Sequence, residues 1–322
     1  MRDHGGNMDN AMAKYGGGPW IDLSTGINRV PYPVEGLDPD VWTSLPTQTA
    51  MNALLAAARA AYETQAPIVA LSGAQAAIQL MPRLAPPGRA AILGPTYNEH
   101  AAALAAEGWE VSQVAELSDL QGADMAVVVN PNNPVGQHHA PQDLLNLLPN
   151  VGRLVVDESF ADPVPEFSLA PRAGQDGLII LRSFGKFYGL AGLRLGFALG
   201  SAQDIEALRT MAGPWAVNGP ALAVAAQALN DAEWADTTRT RLIMDAARMD
   251  EIAVQAGWSL VGGTTLFRTY STPHAAAIQT HLAKAAIWSR IFPYSEHWVR
   301  LGLPGNAAEW AVLETALTGT GE

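Results

Sequence analysis

The apolar positions of this chain follow two rhythms. Short, largely apolar runs recur at 68–71 (Ile-Val-Ala-Leu), 90–93, 125–129 (Met-Ala-Val-Val-Val), 153–156, 178–181 and 195–199. Between them lie Ala- and Leu-rich stretches with helical spacing, at 51–62, 74–84, 99–107, 142–148 and 202–211. Runs without polar alternation are typical of strands buried on both faces. Their alternation with helices predicts a mainly parallel sheet covered on both sides, an α/β fold. The first 45 residues break both rhythms. They are rich in Gly, Pro, Asn and Asp, as in Gly16-Gly17-Gly18-Pro19 and Pro31-Tyr32-Pro33, and predict an irregular arm with few regular elements. After Gly200 the texture is helical. One or two helices are expected over 220–256, then helices at 275–286 and 307–317, with strands near 266–270, 287–291 and 298–303. The expected organisation is an arm over 1–45 packing with the small domain, a large domain over 46–215, and linking helices with a small α+β domain over 216–322. No repeat of fixed period is visible.

Composition narrows the function classes. The 322 residues include 31 Asp and Glu against 19 Lys and Arg, a formal net charge of −12. That argues against a surface for nucleic acid or anionic membrane. The chain has no cysteine, which excludes disulfides, thiolate nucleophiles and Cys-based metal sites. No uncharged run of about 18 apolar residues occurs, and the start, Met-Arg-Asp-His-Gly-Gly-Asn, has no apolar leader. A cytoplasmic protein is the expectation. Sixteen of the 19 basic residues are Arg, leaving Lys14, Lys186 and Lys284. Arg can replace Lys in ion pairs, but not where an amine must lose its proton and attack a carbonyl.

Common nucleotide and hydrolase motifs are missing: no G-x-G-x-x-G, no P-loop, no G-x-S-x-G and no H-E-x-x-H. His138-His139 read as loop residues, and no metal is expected. What remains are polar groups at predicted strand ends, where open α/β sheets bind ligands. These are Ser72-Gly73-Ala74-Gln75, Asn130 to Gly136, Asp157-Glu158, and Arg182-Ser183-Phe184-Gly185-Lys186. Taken singly, each has a plain structural reading as a helix cap, a turn or a buried ion pair. Lys186 stands among aromatic and apolar residues, surroundings that lower an amine pKa and suit a Schiff-base lysine. Ser183 precedes it by three residues and Arg194 follows by eight, a hydroxyl and a guanidinium that could hold a phosphate.

Together, N-P-x-N-P-x-G, D-E and S-x-G-K with an Arg eight residues on resemble the pyridoxal-phosphate-dependent aminotransferases of class I/II, which have fold type I. The resemblance covers 70–200 and, with Trp298-Val299-Arg300-Leu301, most of the chain. It implies pyridoxal 5'-phosphate as cofactor. Lys186 would carry it, Asp157 pair with the ring nitrogen, Asn133 bond the phenolic oxygen and Tyr97 stack on the ring. Ala74, Gln75, Ser183 and Arg194 would hold its phosphate. Arg300 would bind the substrate carboxylate. His4-Gly5-Gly6-Asn7, the Asp22 to Asn28 segment, the lysine segment and Asp157-Glu158-Ser159-Phe160 resemble family members that act on phosphorylated amino acids. They imply decarboxylation of L-threonine O-3-phosphate, with His4, Asn28 and Arg290 near the substrate phosphate. A histidinol-phosphate-type transamination is the alternative, and a non-catalytic binding or scaffold protein of this fold is the alternative of another class. The family implies a homodimer. Arg29 follows Asn28 where Pro is usual. Leu45-Pro46 stands where a Tyr that reaches a neighbouring subunit's cofactor is common, which puts that contact in question.

Overall fold

In the computed structural model, which describes residues 4–319, the chain divides into two compact units. The small unit takes the residues up to Pro31, residues 134–136 and those from Asp236 on; the large unit takes the remainder. The boundaries differ from those expected at 45 and 215. From Tyr32 onward the arm belongs to the large unit, because Tyr32 N donates to Tyr188 O at 2.9 Å and the Tyr32 ring packs edge-on against Tyr188 and Trp234. At the other end the chain leaves the large unit inside a long helix, after Ala235.

In chain order, the small unit opens with α1 (Met8–Tyr15) and β1 (Ile21–Asp22). The large unit follows with α2 (Asp40–Thr43), α3 (Gln48–Ala61), β2 (Ile68–Leu71), α4 (Ala74–Leu80), β3 (Arg89–Leu93), α5 (Glu99–Ala106), β4 (Glu110–Val114), β5 (Met125–Val129), α6 (Pro141–Leu145), β6 (Leu154–Asp157), β7 (Leu178–Ser183), α7 (Phe184–Phe187), β8 (Gly196–Leu199), α8 (Ala202–Ala212) and α9 (Gly219–Asn230). Next come α10 (Ala232–Gln255), β9 (Ser259–Thr264), β10 (Phe267–Ser271), α11 (Ala275–Lys284), β11 (Ile287–Trp288), β12 (Arg290–Phe292), β13 (Ser295–Gly302) and α12 (Ala307–Thr318).

The large unit is built on a seven-stranded sheet in the order β2-β8-β7-β6-β5-β3-β4. Every neighbouring pair is parallel except those made by β8, which runs antiparallel to both β7 and β2. The central strands β5 and β6 are buried along their whole length, as unbroken apolar runs require. Val69, Ile92, Val127, Val155, Ile179 and Leu181 face a core shared with Ala77, Ile78 and Leu104 from α4 and α5. The register sets Val129 opposite Asp157 and Asp157 opposite Leu181. The carboxyl ends of β5, β6 and β7, with the polar residues that follow them, therefore lie side by side.

In the small unit, β12-β13-β10-β9 form an antiparallel sheet, while β1 pairs in parallel with β11. Residues 134–136 belong here through close backbone approach. Thr269 Oγ1 donates to Pro134 O at 2.5 Å. A Cβ at Gly262 would stand 2.1 Å from Val135 O, so only glycine fits that point of β9.

Candidate active site

At the carboxyl edge of the central strands the large unit encloses a cavity of about 200 Å3. All eight residues expected to hold the cofactor line it: Ala74, Gln75, Tyr97, Asn133, Asp157, Ser183, Lys186 and Arg194.

The lysine end is set by packing. β7 runs out at Ser183 and α7 begins at once, placing Lys186 one turn later. Its Nζ lies 5.8 Å from the centre of the Phe160 ring. Behind it Phe184 stacks on Tyr188 at 4.5 Å, and Tyr188 stacks on Trp234 at 5.4 Å. A Cβ on Gly185 would meet Ala191 Cα at 2.6 Å, so the turn closes only around glycine.

The phosphate end is a cradle that a side chain at one position would fill. Gly73 caps α4 with φ of 82°, and a Cβ there would stand 2.9 Å from Arg194 Nη2. Arg194 is itself left-handed at φ 55° and is braced by Nη1 donating to Ala191 O at 3.1 Å. A non-glycine residue held there stores strain, a feature found at ligand clamps. The first residues of α4, Ser183 and the Arg194 fork line one end of the cavity, a donor set suited to a phosphate dianion.

Asp157, the last residue of β6, is fully buried and held by three donors. His100 Nε2 on α5 lies 2.8 Å from Oδ2, while Ser159 donates to Oδ1 from its backbone N at 2.9 Å and its hydroxyl at 2.5 Å. Burial alone would push this carboxyl up, but the bonds from His100 and Ser159 outweigh it and hold Asp157 below the ordinary carboxylate range. His100 Nδ1 is buried with no partner among the described residues. Next in sequence, Glu158 pairs with Arg182 at 2.8 Å, and Arg182 also bridges to Asp162, all three fully buried. Burial raises the Glu158 carboxyl despite Arg182.

On the remaining wall, Tyr97 OH donates to Gln75 Oε1 at 3.2 Å, and Gln75 Nε2 donates to Glu99 Oε2 at 3.0 Å. The loop carrying Asn133 is tied by its neighbours. Asn130 exchanges bonds with the backbone of His139, at 2.8 Å to Oδ1 and 3.2 Å from Nδ2, and Asn132 Nδ2 reaches Thr96 Oγ1 at 3.2 Å.

The expected substrate residues fall in the small unit. His4 and Arg290 line a cavity of about 390 Å3 there. Arg300 is buried on β13, its Nη2 donating to Ser24 O at 2.7 Å. It faces Arg290 in register across the β12–β13 pair. Burial and the Arg290 charge push Arg300 down to about 10, so it is still charged at neutral pH. Asn28 lines neither cavity; its Oδ1 accepts from Val30 N at 3.0 Å and Arg241 Nη2 at 2.7 Å. Arg29, the departure from the family pattern, pairs with Glu309 through Nε and Nη2, one donor to each carboxylate oxygen. Leu45 is 64% exposed. Sequence reading missed His100 and Ser159. The first is a lone imidazole in the Ala-rich helix Glu-His-Ala-Ala-Ala-Leu-Ala-Ala. The second belongs to a D-x-S pattern that also occurs at Asp22–Ser24, where Ser24 clasps Asp22 with the same two bonds.

Comparison with known proteins agrees with this geometry. Residues 37–313 match the family model of class I and II aminotransferases. The chain belongs to that family. It is 41% identical over 99% of its length to a threonine-phosphate decarboxylase of Pseudomonas aeruginosa, of which 98% is covered. To one from a Sinorhizobium species it is 41% identical, with 95% and 94% covered. A histidinol-phosphate aminotransferase of Cronobacter sakazakii is 35% identical, but over only 49% of each chain. Among solved structures, the histidinol-phosphate aminotransferase of Sinorhizobium meliloti in complex with pyridoxal-5'-phosphate superposes with a TM-score of 0.85 at 19% identity, covering 97% of this chain and 93% of that one. The L-threonine-O-3-phosphate decarboxylase of Porphyromonas gingivalis superposes with a TM-score of 0.76 at 20% identity, covering 93% and 98%. Both share the fold. The donors of the cavity in the large unit fit pyridoxal 5'-phosphate: an amine, an ionised carboxylate, an aromatic ring and a phosphate cradle that a Cβ at residue 73 would close.

Proposed function

We propose that this chain decarboxylates L-threonine O-3-phosphate to (R)-1-aminopropan-2-yl phosphate with pyridoxal 5'-phosphate, supplying the aminopropanol unit of cobalamin. The observation that carries the reading is the likeness, at 41% identity over almost the full length, to two threonine-phosphate decarboxylases. The likeness to the transaminase from Cronobacter covers half the chain. The small unit adds support. Arg290 and Arg300 stand opposite each other, suited to a substrate with two anionic groups, a carboxylate and a phosphate. Histidinol phosphate carries the phosphate alone.

When bound, the cofactor supplies an electron sink for the pair left at Cα when a bond there breaks. Lys186 would hold it through its aldehyde carbon and, once displaced by the substrate amine, donate the proton that Cα gains as carbon dioxide leaves. Asp157, kept ionised by His100 and Ser159, would hold a proton on the ring nitrogen. Asn133 would donate to the phenolic oxygen and Tyr97 cover the ring face. Ala74, Gln75, Ser183 and Arg194 would anchor the phosphate. Arg300 would grip the substrate carboxylate, so that it and not the α-hydrogen is lost. His4, Asn28 and Arg290 would serve the substrate phosphate.

The proposal includes a homodimer acting in the cytoplasm; among the described residues no helix is long and apolar enough to cross a membrane. The test is the cofactor-loaded chain beside Lys186→Ala. The wild type is expected to show a visible cofactor absorption band and to release carbon dioxide from threonine phosphate. The variant should lose both. A wild type with no band in excess cofactor would contradict the reading.

A further inference from the structure

A buried acid beside the cofactor cavity has no part in the roles above. Glu99 opens α5 and is 5% exposed; it does not line the cavity, whereas Gln75 and Tyr97 do. An acid in the first turn of a helix is ordinarily explained by the helix dipole, with its charge left in solvent. Burial calls for more, because a carboxylate taken out of water costs free energy unless its oxygens are bonded. Here Glu99 Oε2 accepts from Gln75 Nε2 at 3.0 Å.

That bond decides what Gln75 offers to its other neighbour. With Nε2 turned to Glu99, the amide presents Oε1 to Tyr97 OH, 3.2 Å away, and a carbonyl oxygen only accepts. The phenolic hydrogen of Tyr97 is the donor, so the bonds run one way, from Tyr97 through Gln75 to Glu99. Turned over, the amide would set its own carbonyl against the carboxylate. Glu99 therefore fixes the oxygen at the far end of the Tyr97 ring, and a ring held at both ends cannot swing without breaking a bond. His100, the next residue in the same turn, lies edge-on to the Tyr97 ring at 6.3 Å and bonds Asp157 at 2.8 Å. The first turn of α5 thus steadies two parts of the cavity wall, the aromatic face and the carboxylate.

We propose that Glu99 is a positioning residue for the cofactor ring, acting through the Gln75 amide on the orientation of Tyr97. The proposal rests on the reading of this cavity as the pyridoxal 5'-phosphate site and is independent of which bond at Cα breaks. A ring wall held in its bound orientation beforehand spares the cost of ordering it when the ligand enters.

The test measures, by calorimetry on the full apo-chain, the binding of pyridoxine 5'-phosphate, which has the ring and the phosphate but no aldehyde to react with Lys186. Glu99→Ala should weaken it about fivefold, the worth of one hydrogen bond. Glu99→Gln keeps an oxygen for Gln75 Nε2 and should recover most of the affinity. Inorganic phosphate, which senses the phosphate end alone, should bind all three chains alike. In a Tyr97→Phe background, where the hydroxyl is already gone, Glu99→Ala should cost less than about twofold more. The visible circular dichroism of the loaded chain should change alike in Glu99→Ala and Tyr97→Phe and return in Glu99→Gln. Should Glu99→Ala not fold, Gln75→Leu cuts the same bonds and keeps the backbone N at the phosphate end. Unchanged affinity for pyridoxine 5'-phosphate in Glu99→Ala would overturn the proposal. So would an equal loss for inorganic phosphate, or the full loss repeated in the Tyr97→Phe background. Because no arm needs turnover, a chain that behaves as expected here yet releases no carbon dioxide would fail the functional reading and leave this one standing.

Discussion

Individual residues carry the site through close approach as much as through charge. Gly73 is the sharpest case, since its missing Cβ is the room the Arg194 guanidinium uses, 2.9 Å away. Gly73→Ala would crowd that fork and force an L-residue into φ of 82°, a cost of about 1–3 kcal/mol. The expected outcome is a lower thermal midpoint and weaker cofactor binding to the apo-protein, measured by titration. Arg194→Lys should keep the charge, lose the planar fork, and weaken cofactor binding by about tenfold or more. At Asp157 the proposed role depends on the charge itself. Asp157→Asn keeps the shape and most of the bonds around Ser159, yet activity should fall by at least about a hundredfold, with the fold intact by circular dichroism. That these residues would line one cavity was readable because their motifs keep their spacing in the linear chain. His100 was not: its role comes from the packing of α5 against the end of β6, and one imidazole among alanines does not say what it faces.

At the scale of elements, legibility followed burial. Strands β2 and β5 were found to the residue, because an unbroken apolar run has one structural meaning between turns. The misses are edges and polar elements. Strand β4, Glu-Val-Ser-Gln-Val, lies at the end of the sheet with its residues mostly exposed, so no run marks it. Strand β9 is weak in apolar residues and carries two glycines, one demanded by the Val135 carbonyl. Helix α1, Met-Asp-Asn-Ala-Met-Ala-Lys-Tyr, buries only Ala11 and lies inside the stretch expected to be irregular. The reversed direction of β8 was invisible for a different reason: a strand buried on both faces reads alike in either direction. One element join gives a prediction with a defined pH sign. Arg29 ties the segment after β1 to α12 through Glu309, whose folded pKa lies below its usual value through the Arg29 bond, against the opposing effect of burial. A carboxyl lowered on folding stabilises above its unfolded pKa and loses that contribution as pH falls through the folded value. Glu309→Gln should therefore cost about 1 kcal/mol at pH 7. The gap in thermal midpoint from wild type should close as the medium is acidified below the ordinary glutamate range.

At the scale of the molecule, the eight residues proposed to hold the cofactor lie in the large unit, and His4, Asn28, Arg290 and Arg300, proposed for the substrate, belong to the small one. The acidic excess of the chain conceals this arrangement, since net charge averages over a surface while the small unit sets two arginines face to face. Leu45, Trp42 and Trp215 of the large unit are 64%, 67% and 59% exposed. Large apolar side chains left that open are what an interface between copies would cover. Sedimentation should accordingly give a mass of twice 34.0 kDa, and a single 34.0 kDa species would remove the dimer from the account. The central claim concerns which bond at Cα is broken. Purified chain loaded with pyridoxal 5'-phosphate and given L-threonine O-3-phosphate should release carbon dioxide and aminopropanol phosphate in equal amounts, with no 2-oxo acid added. Turnover that requires 2-oxoglutarate and releases no carbon dioxide would contradict it.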